Sequence, residues 1–144
     1  MNGPIRHAVD IEAPADAIYR AISTSEGEAA FWTSDVDVEP IVGSVARFGF
    51  PEAPVDLRRR IDAREPGRRV RCACLGDFPY WAGTTISWEL SAAPKPGTTV
   101  LFRQDGWPDA YPELDYAGVS YTWARIVGAL KAYVESGTPQ PYLG

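Results

Sequence analysis

From Val36 onward the hydrophobic period changes once, and that change limits what the chain can fold into. Between Val36 and Gln104 the inward-phase positions fall at every second residue: Ala46, Phe48 and Phe50; Leu57, Arg59 and Ile61; Val70, Cys72 and Cys74; Ile86, Trp88 and Leu90; Val100, Phe102 and Gln104. A period of two belongs to strands with one buried face. From about Tyr116 onward, Val119, Trp123, Ile126, Val127, Leu130 and Val134 recur instead at three and four residues, the stripe of a long amphipathic helix. Gly137 is its natural stop, and Pro139 lies just beyond.

The N-terminal part completes the order. Ile5, His7, Val9 and Ile11 alternate with Arg6, Ala8, Asp10 and Glu12 as a first strand. Ala13-Pro14-Ala15-Asp16 then breaks the strand and opens a short helix with the stripe Ala17, Ile18, Ala21 and Ile22, which ends before Ser23-Thr24-Ser25. Glu26 to Trp32 reads as a second short helix, and Val36 and Val38 open the run of strands. Turns at Pro40–Gly43, Arg64–Gly67 and Ala93–Gly97 space these strands as an antiparallel meander. One strand, two short helices, about six strands and one long helix make an α+β chain with its helices on one face of the sheet. At 144 residues the chain has the size of one domain, spanning 1–144.

Fourteen Lys and Arg against 19 Asp and Glu give a formal net charge of −5. An acidic chain is a poor generic partner for phosphate backbones or anionic membrane surfaces, so no nucleic acid is expected. No apolar run approaches the ~20 residues of a membrane span, and Met1-Asn2-Gly3-Pro4 opens no export signal. The cytoplasm is the expected location. Cys72 and Cys74 point the same way from one strand and read as buried thiols rather than a disulfide. With one histidine, His7, beside two cysteines, a zinc site of four Cys or His ligands cannot be assembled. No metal and no cofactor are expected.

Ile11-Glu12-Ala13-Pro14-Ala15-Asp16-Ala17-Ile18-Tyr19 resembles the strand-to-helix passage of the SRPBCC (START-like) superfamily. Phe31-Trp32, the segment from Gly97 to Trp107 and the ending from Trp123 to Gly137 resemble its branch named after the activator of heat-shock-protein ATPase, often called polyketide cyclase-like. The resemblance implies a helix-grip fold: a curved antiparallel sheet wrapped around the long C-terminal helix, with a cavity between them. Members of the superfamily hold lipids, sterols, hormones or polyketides there, and some are cyclases or aromatases. The co-chaperone of the branch carries an additional N-terminal domain, whereas four residues precede Ile5 here. A chaperone interaction is therefore the weakest of the implied readings, and monomer and homodimer stay open.

The candidate ligand-lining residues follow from strand phase, helix stripe and resemblance together. They are His7, Trp32, Phe48, Phe50, Arg59, Cys72, Trp81, Trp88, Phe102, Gln104, Val119, Trp123 and Val127. Aromatic walls suit a flat apolar ligand and equally suit a filled core. Phe78, Tyr80 and Trp81 lie on a loop placed to form a rim. Within the basic run Arg58-Arg59-Arg60, strand phase turns Arg58 and Arg60 outward, balanced by Asp56, Asp62 and Glu65. Arg59 faces in, where an unpaired charge is costly, so it needs a carboxylate, a carbonyl cluster or an anionic ligand. His7, Arg59 and Gln104 are the polar groups a cyclase would use to steer proton transfers, with His7 as a general base and Gln104 as a holder of a carbonyl. No nucleophile elbow, catalytic triad or glycine-rich phosphate loop occurs, and no catalytic residue is assigned. A small apolar molecule is the expected partner, with a cyclase or aromatase as the alternative.

Overall fold

The computed structural model describes residues 2–143. The elements run β1 (Ile5–Ile11), α1 (Ala15–Ser23), α2 (Ser25–Phe31), β2 (Asp35–Asp37), β3 (Val45–Gly49), β4 (Leu57–Glu65), β5 (Arg69–Cys74), β6 (Thr85–Ala92), β7 (Thr98–Asp105) and α3 (Glu113–Ser136). This is the order the periodicity dictates. The reading of 1–144 as one unit extends to Met1 and Gly144, which lie outside the described residues.

Seven antiparallel strands form one sheet in the order β1-β7-β6-β5-β4-β3-β2. Strands β2 to β7 are a meander, and β1 closes the far edge by pairing with β7 in the register Ile5↔Gln104, His7↔Phe102. The sheet curves around α3, giving the helix-grip α+β architecture. Along β4 the burial alternates as the period requires: Leu57, Arg59 and Ile61 are buried, and Arg58 and Arg60 are exposed. A shift of register between Ile61 and Ala63 ends that alternation. The inner face carries Phe48, Leu57, Ile86, Val100 and Phe102, and Trp123, Ile126, Val127 and Leu130 of α3 close over it.

Local chemistry sets the boundaries. Thr24 caps α2, its hydroxyl accepting from the Gly27 N–H at 3.0 Å, so the Ser23-Thr24-Ser25 cluster joins the two helices rather than separating them widely. Helix α3 starts at Glu113 behind Pro112, one turn ahead of the apolar stripe, with Glu113 and Asp115 in its first turn. Acidic side chains suit a helix N-terminus, and these residues leave no apolar signal because they do not touch the sheet. Gly137 ends the helix in the left-handed conformation, with φ of 74°.

One placement departs from the reading of the sequence. Phe50 lies past the end of β3, half-buried; the chain leaves the sheet at Gly49, packed so closely on the Asp35 side chain that a Cβ there would overlap it. The segment after α3 is tied to the end of α2 within the described residues. The N–H groups of Gln140, Tyr142 and Leu143 donate to the carbonyls of Ala30, Phe31 and Trp32 at 2.9, 3.0 and 2.7 Å. These are carbonyls at the end of α2 that have no partner within the helix.

No helix among the described residues is long and apolar enough to cross a membrane.

Candidate functional site

The inward aromatics form one connected network between sheet and helix. Trp123 sits at its centre, with ring centroids 4.3 Å from Phe102, 5.0 Å from Trp32 and 6.5 Å from Trp88. From Trp32 the contacts continue to Phe48 at 4.7 Å and Phe50 at 5.7 Å, then through Phe78 at 5.9 Å to Trp81 at a further 5.3 Å. Trp32, Phe48, Trp88, Phe102 and Trp123 are buried, whereas Phe50, Phe78 and Trp81 are half-buried and Tyr80 is exposed. The network therefore runs from a closed centre to a rim on the β5–β6 loop. Trp107 and Tyr111, both buried and stacked at 4.7 Å, pack beneath that rim against Trp81 and Tyr80, although the strand and helix patterns give no signal for them. On α3, Val127 is buried and Val119 half-buried beside Trp123.

The rings touch one another and fill the centre. A void of about 10 Å³ lies to one side, walled by Glu28, Arg59, Arg64, Cys72, Ile22 and Ile61 among others. A far larger hollow, about 910 Å³, is an open groove at the end of the sheet away from the β5–β6 loop, between the β1–α1 turn and the β6–β7 turn. None of the candidate residues reaches that groove, so size and chemistry point to different places. The chemistry is inside.

Gln104 organises the centre. Its Nε2 donates to the Thr84 hydroxyl at 3.0 Å, its Oε1 accepts from the Trp123 indole N–H at 2.8 Å, and its backbone carbonyl accepts from Trp107 at 3.0 Å. With Oε1 engaged by Trp123, this amide is tied into the packing. His7 is likewise engaged: its Nε2 lies 2.9 Å from the backbone carbonyl of Ser120. A carbonyl only accepts, so Nε2 carries the proton, and the ring ties β1 to α3.

Arg59 meets the carboxyl of Glu28. Its Nη2 is 3.5 Å from Glu28 Oε1, with both side chains buried, and its guanidinium lies 4.1 Å from the Phe48 ring centroid and 5.1 Å from that of Trp32. Arg59 Nε and Nη1 and Glu28 Oε2 have no hydrogen-bond partner. Burial pushes the Glu28 carboxyl up to about 8, against the opposing charge and hydrogen bond of Arg59. Glu28 escaped the sequence reading, although a signal was present: it lies three positions before Phe31 in α2, on the same helical face.

Other charges of the basic run pair at the surface, whereas Arg64 Nε and Arg103 Nε are buried without a hydrogen-bond partner. Arg58 pairs with Asp77 and Arg60 with Asp62, at 2.8 and 2.7 Å, and Arg68 and Arg69 both engage Glu65. These arginines thus form a paired outer surface. Cys72 and Cys74 are buried free thiols, and burial pushes Cys72 up to about 11, which keeps it protonated and poorly nucleophilic at neutral pH. No group of three or more His, Cys, Asp or Glu able to hold a metal occurs among the described residues.

Comparison with known proteins places this geometry. The family described as "Activator of Hsp90 ATPase homolog 1-like protein" matches residues 12–135. The fold is similar to the solution structure of the Aha1 dimer from Colwellia psychrerythraea, with a TM-score of 0.82 and 28% identity, covering 93% of this chain and 97% of that one. It is also similar to DynU16, a putative protein in the dynemicin biosynthetic locus, at TM-score 0.79 and 24% identity; the match covers 99% of this chain but 51% of DynU16, so this chain spans about half of that protein. A Staphylococcus saprophyticus protein shares the fold at TM-score 0.78 and 18% identity, with 95% of each chain covered. No match is found among curated proteins.

Proposed function

The chain belongs to the Activator of Hsp90 ATPase homolog 1-like family, within the SRPBCC superfamily, and from that premise we propose that it binds a small apolar molecule between the sheet and α3. The observation that carries this reading is the aromatic path from the half-buried rim of Phe50, Phe78 and Trp81 to the buried Trp32, Phe48 and Trp123. A ring-containing or acyl ligand enters by parting the rim side chains, which stand outside regular strands and are the least constrained members of the network. His7, Arg59, Cys72, Trp88, Phe102, Gln104, Val119 and Val127 complete the lining around it.

Thermal unfolding in the presence of fatty acids, sterols and aromatic polyketides tests the reading. A ligand at a hundredfold excess over Kd adds about 2.7 kcal/mol, roughly 5 to 10 °C of Tm for a chain of this size. A flat response to every apolar class would sink it.

A cyclase or aromatase reading draws support from the fold shared with DynU16 and from Glu28, a buried carboxyl shifted toward neutral pH. Turnover of a polyketide substrate, abolished in Glu28→Gln, is the result that would favour it. The similarity to a dimeric relative supports a homodimer, which sedimentation analysis checks. The two buried free thiols fit a reducing cytoplasm.

A further inference from the structure

The void beside the aromatic network is bounded by a cation whose needs the fold leaves unmet. Arg59 is 3% exposed, and a guanidinium carries five N–H donors and no acceptor. Of its nitrogens, Nη2 has Glu28 at 3.5 Å, a long and single contact, while Nε and Nη1 have no partner. The faces of Phe48 and Trp32 lend it the attraction of their ring quadrupoles, yet offer no hydrogen-bond acceptor. A buried cation held this way calls for a second set of anionic oxygen acceptors.

Glu28 does not supply the missing charge fully, because burial favours its neutral form. A neutral carboxyl beside a guanidinium has an O–H to donate, and Glu28 Oε2 is itself without a partner. Around these groups the void adds the apolar walls of Ile22 and Ile61. On the other side Phe48 and Trp32, which stack on the guanidinium, continue into the aromatic path toward Phe50 and Phe78.

We infer that Arg59 anchors the carboxylate of an amphipathic organic acid, whose apolar body lies along Trp32, Phe48 and Phe50, with Glu28 donating to a carboxylate oxygen. The inference rests on the cavity reading above and adds the ligand's head group to it. A void of about 10 Å³ holds about one water molecule, so the head group enters only as the rim and Trp32 make room. A neutral alcohol of the same body satisfies the donors' geometry in part but not the charge.

Binding is measured by tryptophan fluorescence on the full chain with two matched pairs, dodecanoate against 1-dodecanol and 2-naphthoate against 2-naphthol. At least one acid is expected to bind ten times or more tighter than its alcohol. In Arg59→Met the ratio should fall to about one, with the loss on the acid. In Glu28→Gln, which keeps a donor, the preference for the acid should persist. Acid and alcohol binding equally well to the native chain, or an acid preference surviving in Arg59→Met, overturns the anchor and leaves the cavity reading standing. Loss of the preference in Glu28→Gln also overturns Arg59 as the anchor. Failure of all four compounds to bind overturns both readings together. If circular dichroism shows Arg59→Met to be unfolded, the native ratio and the Glu28→Gln ratio decide.

Discussion

The indole N–H of Trp123 donates to Gln104 Oε1 at 2.8 Å, joining the middle of α3 to the last strand of the sheet. The inward phase of β7 and the inner stripe of α3 meet at this bond, and Thr84 holds the same amide from the other side at 3.0 Å. Trp123→Ala removes a fully buried ring and is expected to lose about 3 to 5 kcal/mol of stability, the range for large aromatic truncations. A denaturant titration giving less than about 1 kcal/mol would contradict this packing.

Gln104→Leu keeps the approximate shape but leaves the Trp123 N–H facing an apolar group, while the Thr84 hydroxyl still donates to the Trp81 carbonyl at 2.7 Å. The buried orphan costs roughly 1 to 3 kcal/mol. The double variant Gln104→Leu with Trp123→Phe should therefore recover part of the loss, and a double-mutant cycle with no coupling would show the bond to be incidental.

His7→Ala breaks the tie between the edge strand β1 and α3. The expected loss is about 1 kcal/mol, the net worth of an ordinary hydrogen bond, and amide exchange should quicken in β1 before the central strands. If a substrate is found, turnover should survive this change; abolished turnover with normal stability would restore His7 to a chemical role.

The buried Glu28 makes stability depend on pH in a defined direction. Its carboxyl is raised from 4.5 to about 8 in the folded chain, so the folded state holds a proton that the unfolded state releases. The stabilisation is complete below about pH 4.5 and is lost as pH rises through about 8. Between pH 5 and 8 the native chain should lose more stability than Glu28→Gln, which has nothing to titrate there. Equal slopes of unfolding midpoint against pH in the two proteins would rule out the shift.

Gly97 precedes β7 with φ of 138°, and a Cβ there would collide with the backbone carbonyl of Ile11. Gly97→Ala must displace the β1–β7 pairing and should cost more than about 2 kcal/mol, adding steric overlap to a backbone region that L residues avoid. Gly76→Ala, with nothing within 4 Å of the added carbon, is the control and should lie within about 1 kcal/mol of the native chain.

What the sequence determined by itself is what repeats locally. The order of elements, the buried phase of Leu57, Arg59 and Ile61, the stripe of α3 and its stop at Gly137 are all written in periods of two and 3.6, because burial of one face acts on each element separately. The inward position of Arg59 was legible for the same reason, and so was its need for a partner. The identity of that partner was not. Glu28 is buried only because α2 lies against the concave side of β4, and the filling of the interior depends on ring contacts among Trp32, Phe48, Phe102 and Trp123, from four separate parts of the chain. Likewise the pairing of the segment after α3 with the end of α2 joins backbone groups that carry no side-chain signature. Packing between elements, not propensity within them, decided how much of the interior stays open and which charges meet there.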